Sequence, residues 1–101
     1  MLSFDDRATA PGHVLVRILD GESVLLNLEN ERYYGLDETG TRMWQLLVES
    51  PSIDAAYQSL LAEYDAEPEM VRSNLVELLG RLVDHGLVEV QPADVGTATA
   101  I

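Results

Sequence analysis

The order of apolar runs along the chain predicts a small α+β domain, winged helix-turn-helix-like, in which a three-stranded antiparallel sheet is followed by three helices. Two observations carry this. Three short apolar segments, HVLVRIL (13–19), SVLLNL (23–28) and ERYYGL (31–36), are separated only by turn signals, and connections that tight make neighbouring strands pair antiparallel. Beyond Leu36 the apolar residues recur at three and four instead of two, and Pro51 and Pro68 divide this part into three helical segments.

Each element has its own local reason. Met1 to about Gly12 reads as a poorly ordered lead-in closed by Pro11-Gly12. In the first strand Val14, Val16 and Ile18 share one face, and Leu15, Arg17 and Leu19 the other. Asp20-Gly21 supplies a turn, because glycine tolerates positive φ. Val24, Leu26 and Leu28 share a face of the second strand, and Glu29-Asn30 form the next turn. Asp37 can cap a helix starting near Glu38 and running to about Glu49, with Met43, Leu46 and Leu47 at helical spacing and Trp44 as a core anchor. Ser50-Pro51 ends it. Ser52 caps a second helix carrying Ile53, Ala56, Tyr57, Leu60, Leu61 and Tyr64. Pro68 suits the first turn of a third helix that reaches about His85, with Gly86 just past its end. Leu87–Val90 can add a short strand, and residues 91–101, without periodicity, read as a flexible tail. The expected organisation is therefore a lead-in (1–12), one domain (13–90) and a tail (91–101).

Composition narrows the function. With 18 acidic against 6 basic residues the net charge is −12, which repels nucleic acid, whose binding needs Lys and Arg on phosphates. A DNA-reading winged helix is disfavoured for the same reason, since the third helix sets Arg72 and Arg81 against Glu69, Glu77 and Asp84. There is no cysteine, hence no disulfide, thiolate nucleophile or Cys-based zinc site. His13 and His85 are the only histidines and neither has a motif neighbour, and no Gly-rich loop carries a lysine. We expect no catalytic residues, no metal and no cofactor: a binding protein, not an enzyme. Without a bilayer-length apolar run or a secretory signal, no membrane is expected and the cytoplasm is the expected compartment.

Two features point to a binding cleft. On a helical wheel Val71, Leu75, Leu78 and Leu82 form one stripe, enough to hold the third helix on its core. Leu79, Val83 and Val76 widen the arc to one side, with Arg72 among them, so this extra stripe either packs against the sheet or final strand or forms a groove wall. Arg32, Tyr33, Tyr34, Gly35 and Leu36 form the third strand, and at a sheet edge its unpaired backbone would accept a strand from another chain. Tyr33 and Tyr34 alternate faces, so at most one belongs to the core. Gly35 either permits close backbone approach or marks a bulge. Arg72 is free to pair with an acid of a partner or with a neighbouring Glu.

The stretch VLLNLENERYYGLDETGTRMWQLL (24–47) orders an apolar strand, an acidic turn, Arg-Tyr-Tyr-Gly-Leu, Asp-x-Thr-Gly and Met-Trp-x-Leu-Leu. That order resembles the PqqD-like RiPP recognition elements, small proteins that capture the leader segment of a ribosomally made precursor peptide. The resemblance weakens but continues to Leu87. It implies that a leader pairs antiparallel to Arg32–Leu36 and packs beside the last helix, whose wall on the wheel is Arg72, Leu75, Val76, Leu79 and Val83. The short free-standing form suits lasso-peptide biosynthesis, with a leader peptidase and then a cyclase as partners. The alternatives are a peptide chaperone of PQQ biosynthesis, partnered by a radical SAM enzyme, and a generic adaptor or dimerisation module.

Overall fold

The computed structural model describes residues 3–92, from which eight elements follow in chain order: β1 (Arg7–Thr9), β2 (Val14–Leu19), β3 (Glu22–Asn27), β4 (Arg32–Leu36), α1 (Glu38–Glu49), α2 (Ile53–Glu63), α3 (Pro68–Asp84) and β5 (Glu89–Gln91). β2, β3 and β4 form the expected antiparallel sheet in that order. Among the described residues no helix is long and apolar enough to cross a membrane.

Local chemistry explains the joints. Asp20 and Gly21 both take positive φ, at 56° and 85°, the two-residue turn whose twist matches a hairpin. Asp37 Oδ1 accepts from the Gly40 amide at 2.8 Å, and Ser52 Oγ accepts from the Ala55 amide at 3.0 Å, so both predicted caps form. At the end of α3 Gly86 adopts φ 70°, and the Leu87 amide returns to the Leu82 carbonyl at 2.8 Å. That return buries Leu87 and Val88, so the segment expected to begin a strand is first core, and β5 starts at Glu89.

The core lies between the sheet and the helices. Leu25, Leu47, Ile53, Leu60, Leu75, Leu79, Leu82, Leu87 and Val88 are its largest fully buried side chains. Each stabilises the fold by about 1.5–3 kcal/mol relative to exposure. Trp44 is buried as an anchor, although its Nε1 donor has no partner among the described residues. Arg42 on α1 grips Glu63 on α2 through Nε at 2.8 Å and Nη2 at 2.6 Å; this hydrogen bonding holds the Glu63 carboxyl below its ordinary range. The pair is largely solvated and contributes little to stability.

The face of β3 turned inward is Ser23, Leu25 and Asn27, while Val24, Leu26 and Leu28 face outward or lie at the rim. Polar residues can sit inward because their partners are built in. Ser23 Oγ meets Thr41 Oγ1 at 2.7 Å, and Asn27 Nδ2 donates to the His85 carbonyl at 3.1 Å. The outer face of the sheet consequently carries Leu15, Leu19, Val24 and Tyr33, all exposed.

The lead-in differs most from expectation. Within it β1 pairs antiparallel with β5, Ala8 opposite Val90, and Ala8 is fully buried in the core. The carbonyls of Asp6 and Phe4 accept from the Ile53 and Asp54 amides, both at 2.8 Å, satisfying two orphan donors at the start of α2. The Phe4 ring packs edge-on to Tyr57 at 5.6 Å and lies under the Arg72 guanidinium at 4.0 Å. Arg72 is therefore engaged by an aromatic ring of its own chain, by a cation–π contact instead of an acidic partner. A three-residue strand has no legible periodicity, so pairing across the whole sequence, not local pattern, creates β1. The tail beyond Pro92 lies outside the described residues.

Ala8→Asp should destabilise the domain by at least about 3 kcal/mol in urea unfolding, because it buries a carboxylate without a partner. A disordered lead-in would show a change within about 0.5 kcal/mol.

Candidate functional site

β4 pairs only with β3 among the described residues, in the register Ser23–Leu36, Leu25–Tyr34 and Asn27–Arg32. Its other edge is open, leaving backbone donors and acceptors available to a further strand. The pairing runs without a break through Val24 opposite Gly35, so Gly35 marks no bulge, and a Cβ there would meet nothing within 4 Å. Tyr33 and Tyr34 divide as strand alternation requires. Tyr33 is 76% exposed on the outer face, while Tyr34 is half-buried against the core with its ring 5.0 Å from that of His85.

Beside this edge lies a cleft of about 450 Å³ between β4, the start of α1 and the middle of α3. β4 contributes Tyr34, Gly35 and Leu36; α1 contributes Thr39, Gly40 and Met43, after Asp37 at its cap; α3 contributes Asn74, Glu77, Leu78 and Arg81. The start of α1 can approach the strand because residue 40 is glycine: a Cβ there would sit 3.2 Å from Asp37 Oδ1 and 3.3 Å from Leu36 Cδ2. The cleft has an apolar part and a charged part. Leu36, Met43 and Leu78 are core residues reaching its floor. Arg81 and Glu77 are an exposed i,i+4 pair at 3.5 Å. The Tyr34 phenol first, then the Glu77 carboxylate, push the Arg81 guanidinium further toward its charged form, which ties Arg81 to the Tyr34 end of the strand.

The α3 residues expected from the wheel do not line this cleft. Leu75 and Leu79 are buried in the core, and Arg72 covers Phe4. Val76, Leu79 and Val83 border a different cleft, of about 500 Å³, whose other wall is Asp6, Val90 and Pro92 from the β1–β5 side. A wheel gives the width of an apolar arc but not which flank meets which strand. The wheel assigned Leu78 to the core stripe and Glu77 and Arg81 to a solvated face; both assignments hold, yet these residues also form the rim of the cleft because β4 lies on that flank. The sequence signal for this was Leu78 directly between Glu77 and the Arg81 turn, meaningful only once the strand is placed.

The chain is similar to known proteins in both sequence and fold. The family described as coenzyme PQQ synthesis protein D (PqqD) matches residues 22–88, from β3 to the end of the core. A solved structure of TbiB1 in complex with the TbiA(beta) leader peptide is similar over 80% of this chain and 94% of that one, at 32% identity and a TM-score of 0.72. A solved lasso peptide synthetase B1 complexed with the leader peptide shares the fold over 82% of this chain and 98% of that one, at 24% identity and a TM-score of 0.71. No curated protein matches the chain.

Leu79→Asp should unfold the domain, since it places a charge at a position 1% exposed; Val76→Asp, at a position 37% exposed, should leave thermal unfolding within a few degrees of the parent. Circular dichroism melts of the two variants check this.

Proposed function

Since the chain belongs to the PqqD family, we propose that it binds the leader segment of a ribosomally synthesised precursor peptide, adding it as a strand to the open edge of β4 above the β4–α3 cleft. The open edge is the observation that carries this reading. Backbone pairing gives affinity that tolerates sequence change, and side chains entering the cleft give selectivity. The two similar structures, each with a leader peptide bound, support the reading and favour the lasso-peptide pathway over PQQ biosynthesis.

The strand side of the site is Arg32, Tyr33, Tyr34, Gly35 and Leu36, and the helix side is Asn74, Glu77, Leu78 and Arg81 in place of the wall read from the wheel. A leader side chain buried over Leu36, Met43 and Leu78 would contribute about 1.5–3 kcal/mol, against which ordering a flexible peptide costs about 2–5 kcal/mol overall. The mechanism is tethering. A bound leader raises the effective concentration of the attached core peptide at a leader peptidase and then a cyclase, the partners we assign, and the protein performs no chemistry itself. Work on a ribosomal product belongs in the cytoplasm, in keeping with a sequence free of cysteine.

Fluorescence anisotropy with two labelled leaders, one of lasso type carrying a Tyr-x-x-Pro element and one from the PQQ precursor, tests the function and the pathway together. Saturable binding of the lasso leader is expected. Asn74→Trp, which fills the cleft from an exposed helix position, should weaken it at least about tenfold, while Val76→Trp on the other flank should leave it unchanged. Equal loss in both variants, or loss in Val76→Trp alone, would return the site to the wheel-derived wall. Binding of the PQQ leader alone would transfer the protein to that pathway.

A further inference from the structure

The two inward-facing residues of β4 that border the cleft meet different chemistry. Tyr34 and Leu36 share the inner face of the strand, two residues apart. Tyr34 lies at the Arg81 end of α3, beside His85, whereas Leu36 lies against Gly40 at the start of α1. A strand added to the edge places its own inward side chains opposite these two, because cross-strand partners point to the same face. Resting on the leader-binding function above, we infer that the cleft reads a leader through two residues at i and i+2: an apolar side chain held by Leu36, Met43 and Leu78, and a carboxylate held by Arg81.

The charge distribution selects a carboxylate over a cation. Arg81 is the one arginine lining the cleft, and its only salt-bridge partner among the described residues is Glu77, an exposed contact of 3.5 Å that is readily exchanged. The guanidinium has five donors in a planar fork, so it can keep Glu77 and still take a second carboxylate side-on. Asp37, the other acid in the cleft, already spends Oδ1 on the Gly40 amide. A leader lysine or arginine in this place would instead face Arg81 as a like charge. Of the chain's 18 acidic residues only Asp37 and Glu77 line the cleft, so an acidic leader residue is repelled in most registers and accepted at Arg81. The pair thus fixes register, which backbone hydrogen bonds alone leave free to slip. An antiparallel leader meets Leu36 before Tyr34, so the order from its N-terminus is apolar, any residue, Asp or Glu.

A phage-displayed library of randomised dodecapeptides, selected separately on the parent protein and on Arg81→Glu, tests this. The parent pool should be enriched in an apolar residue followed two positions later by Asp or Glu, and the Arg81→Glu pool in an apolar residue followed two later by Lys or Arg. A synthetic peptide with the parent pattern should bind Arg81→Glu at least about tenfold more weakly, with circular dichroism showing the variant folded. A basic residue at that spacing in the parent pool, the reverse order, or enrichment without a positional pattern would overturn the inference. If the lasso-type leader still binds in anisotropy under those outcomes, leader binding stands and only the i, i+2 reading falls. If neither leaders nor library bind, both fall.

Discussion

Five side chains of α3, Val71, Leu75, Leu78, Leu79 and Leu82, are buried, and the arc they span decides where every other element can lie. An arc that broad presents two flanks. One faces the β1–β5 side across Val76 and Val83; the other faces β4 across Asn74, Glu77, Leu78 and Arg81. The first flank is furnished by the chain's own N-terminal segment. Phe4 lies under Arg72, Ala8 is buried in the core opposite Val90, and the carbonyls of Phe4 and Asp6 close the start of α2. The second flank borders a strand with an unpaired edge. The N-terminal segment thus packs on one side of α3, while on the other side the cleft lies beside the unpaired edge of β4, the edge to which the proposed function adds a strand.

A separation of tasks follows within β4. Its inner face, Tyr34 and Leu36, joins the cleft to the core, while Tyr33 stands on the outer face with Leu15 and Val24. A strand added here would extend both faces at once. The apolar floor of Leu36, Met43 and Leu78 supplies burial, and the Arg81–Glu77 rim supplies polarity where water still reaches. Gly40 lets the start of α1 lie close against Leu36, and Asp37 holds that start in place through its cap. The motif Asp-x-Thr-Gly therefore has a structural role at the end of the site, independent of any contact with a peptide.

Much of the fold was legible in the sequence because it rests on local chemistry. Asp20-Gly21, Asp37, Ser52, Pro68 and Gly86 each specify a turn, cap or helix end within a few residues, and each does so in the structure. The strand edge was legible for the same reason: two tight turns leave the third strand last in the sheet. What was not legible depends on contacts between distant segments. β1 exists only through its pairing with β5, and Arg72 meets a phenylalanine from the lead-in. The side of α3 that faces β4 is a tertiary fact as well. The wheel counted Leu79 as part of a groove wall, and it is a core residue that borders the cleft on the β1–β5 side; it counted Glu77 and Arg81 as solvated surface, and they also rim the cleft beside β4. A helical wheel knows angles around one axis but nothing of the neighbour's position.

The central claim is that a leader joins the sheet at β4. Hydrogen–deuterium exchange, followed residue by residue with and without saturating lasso-type leader, tests it most directly. The account predicts new protection of the outward-facing backbone amides within Arg32–Leu36, with those of β1 and β5 unchanged. Protection confined to the β1–β5 ribbon or to the outer edge of β2, with β4 exchanging as in the free protein, would contradict it.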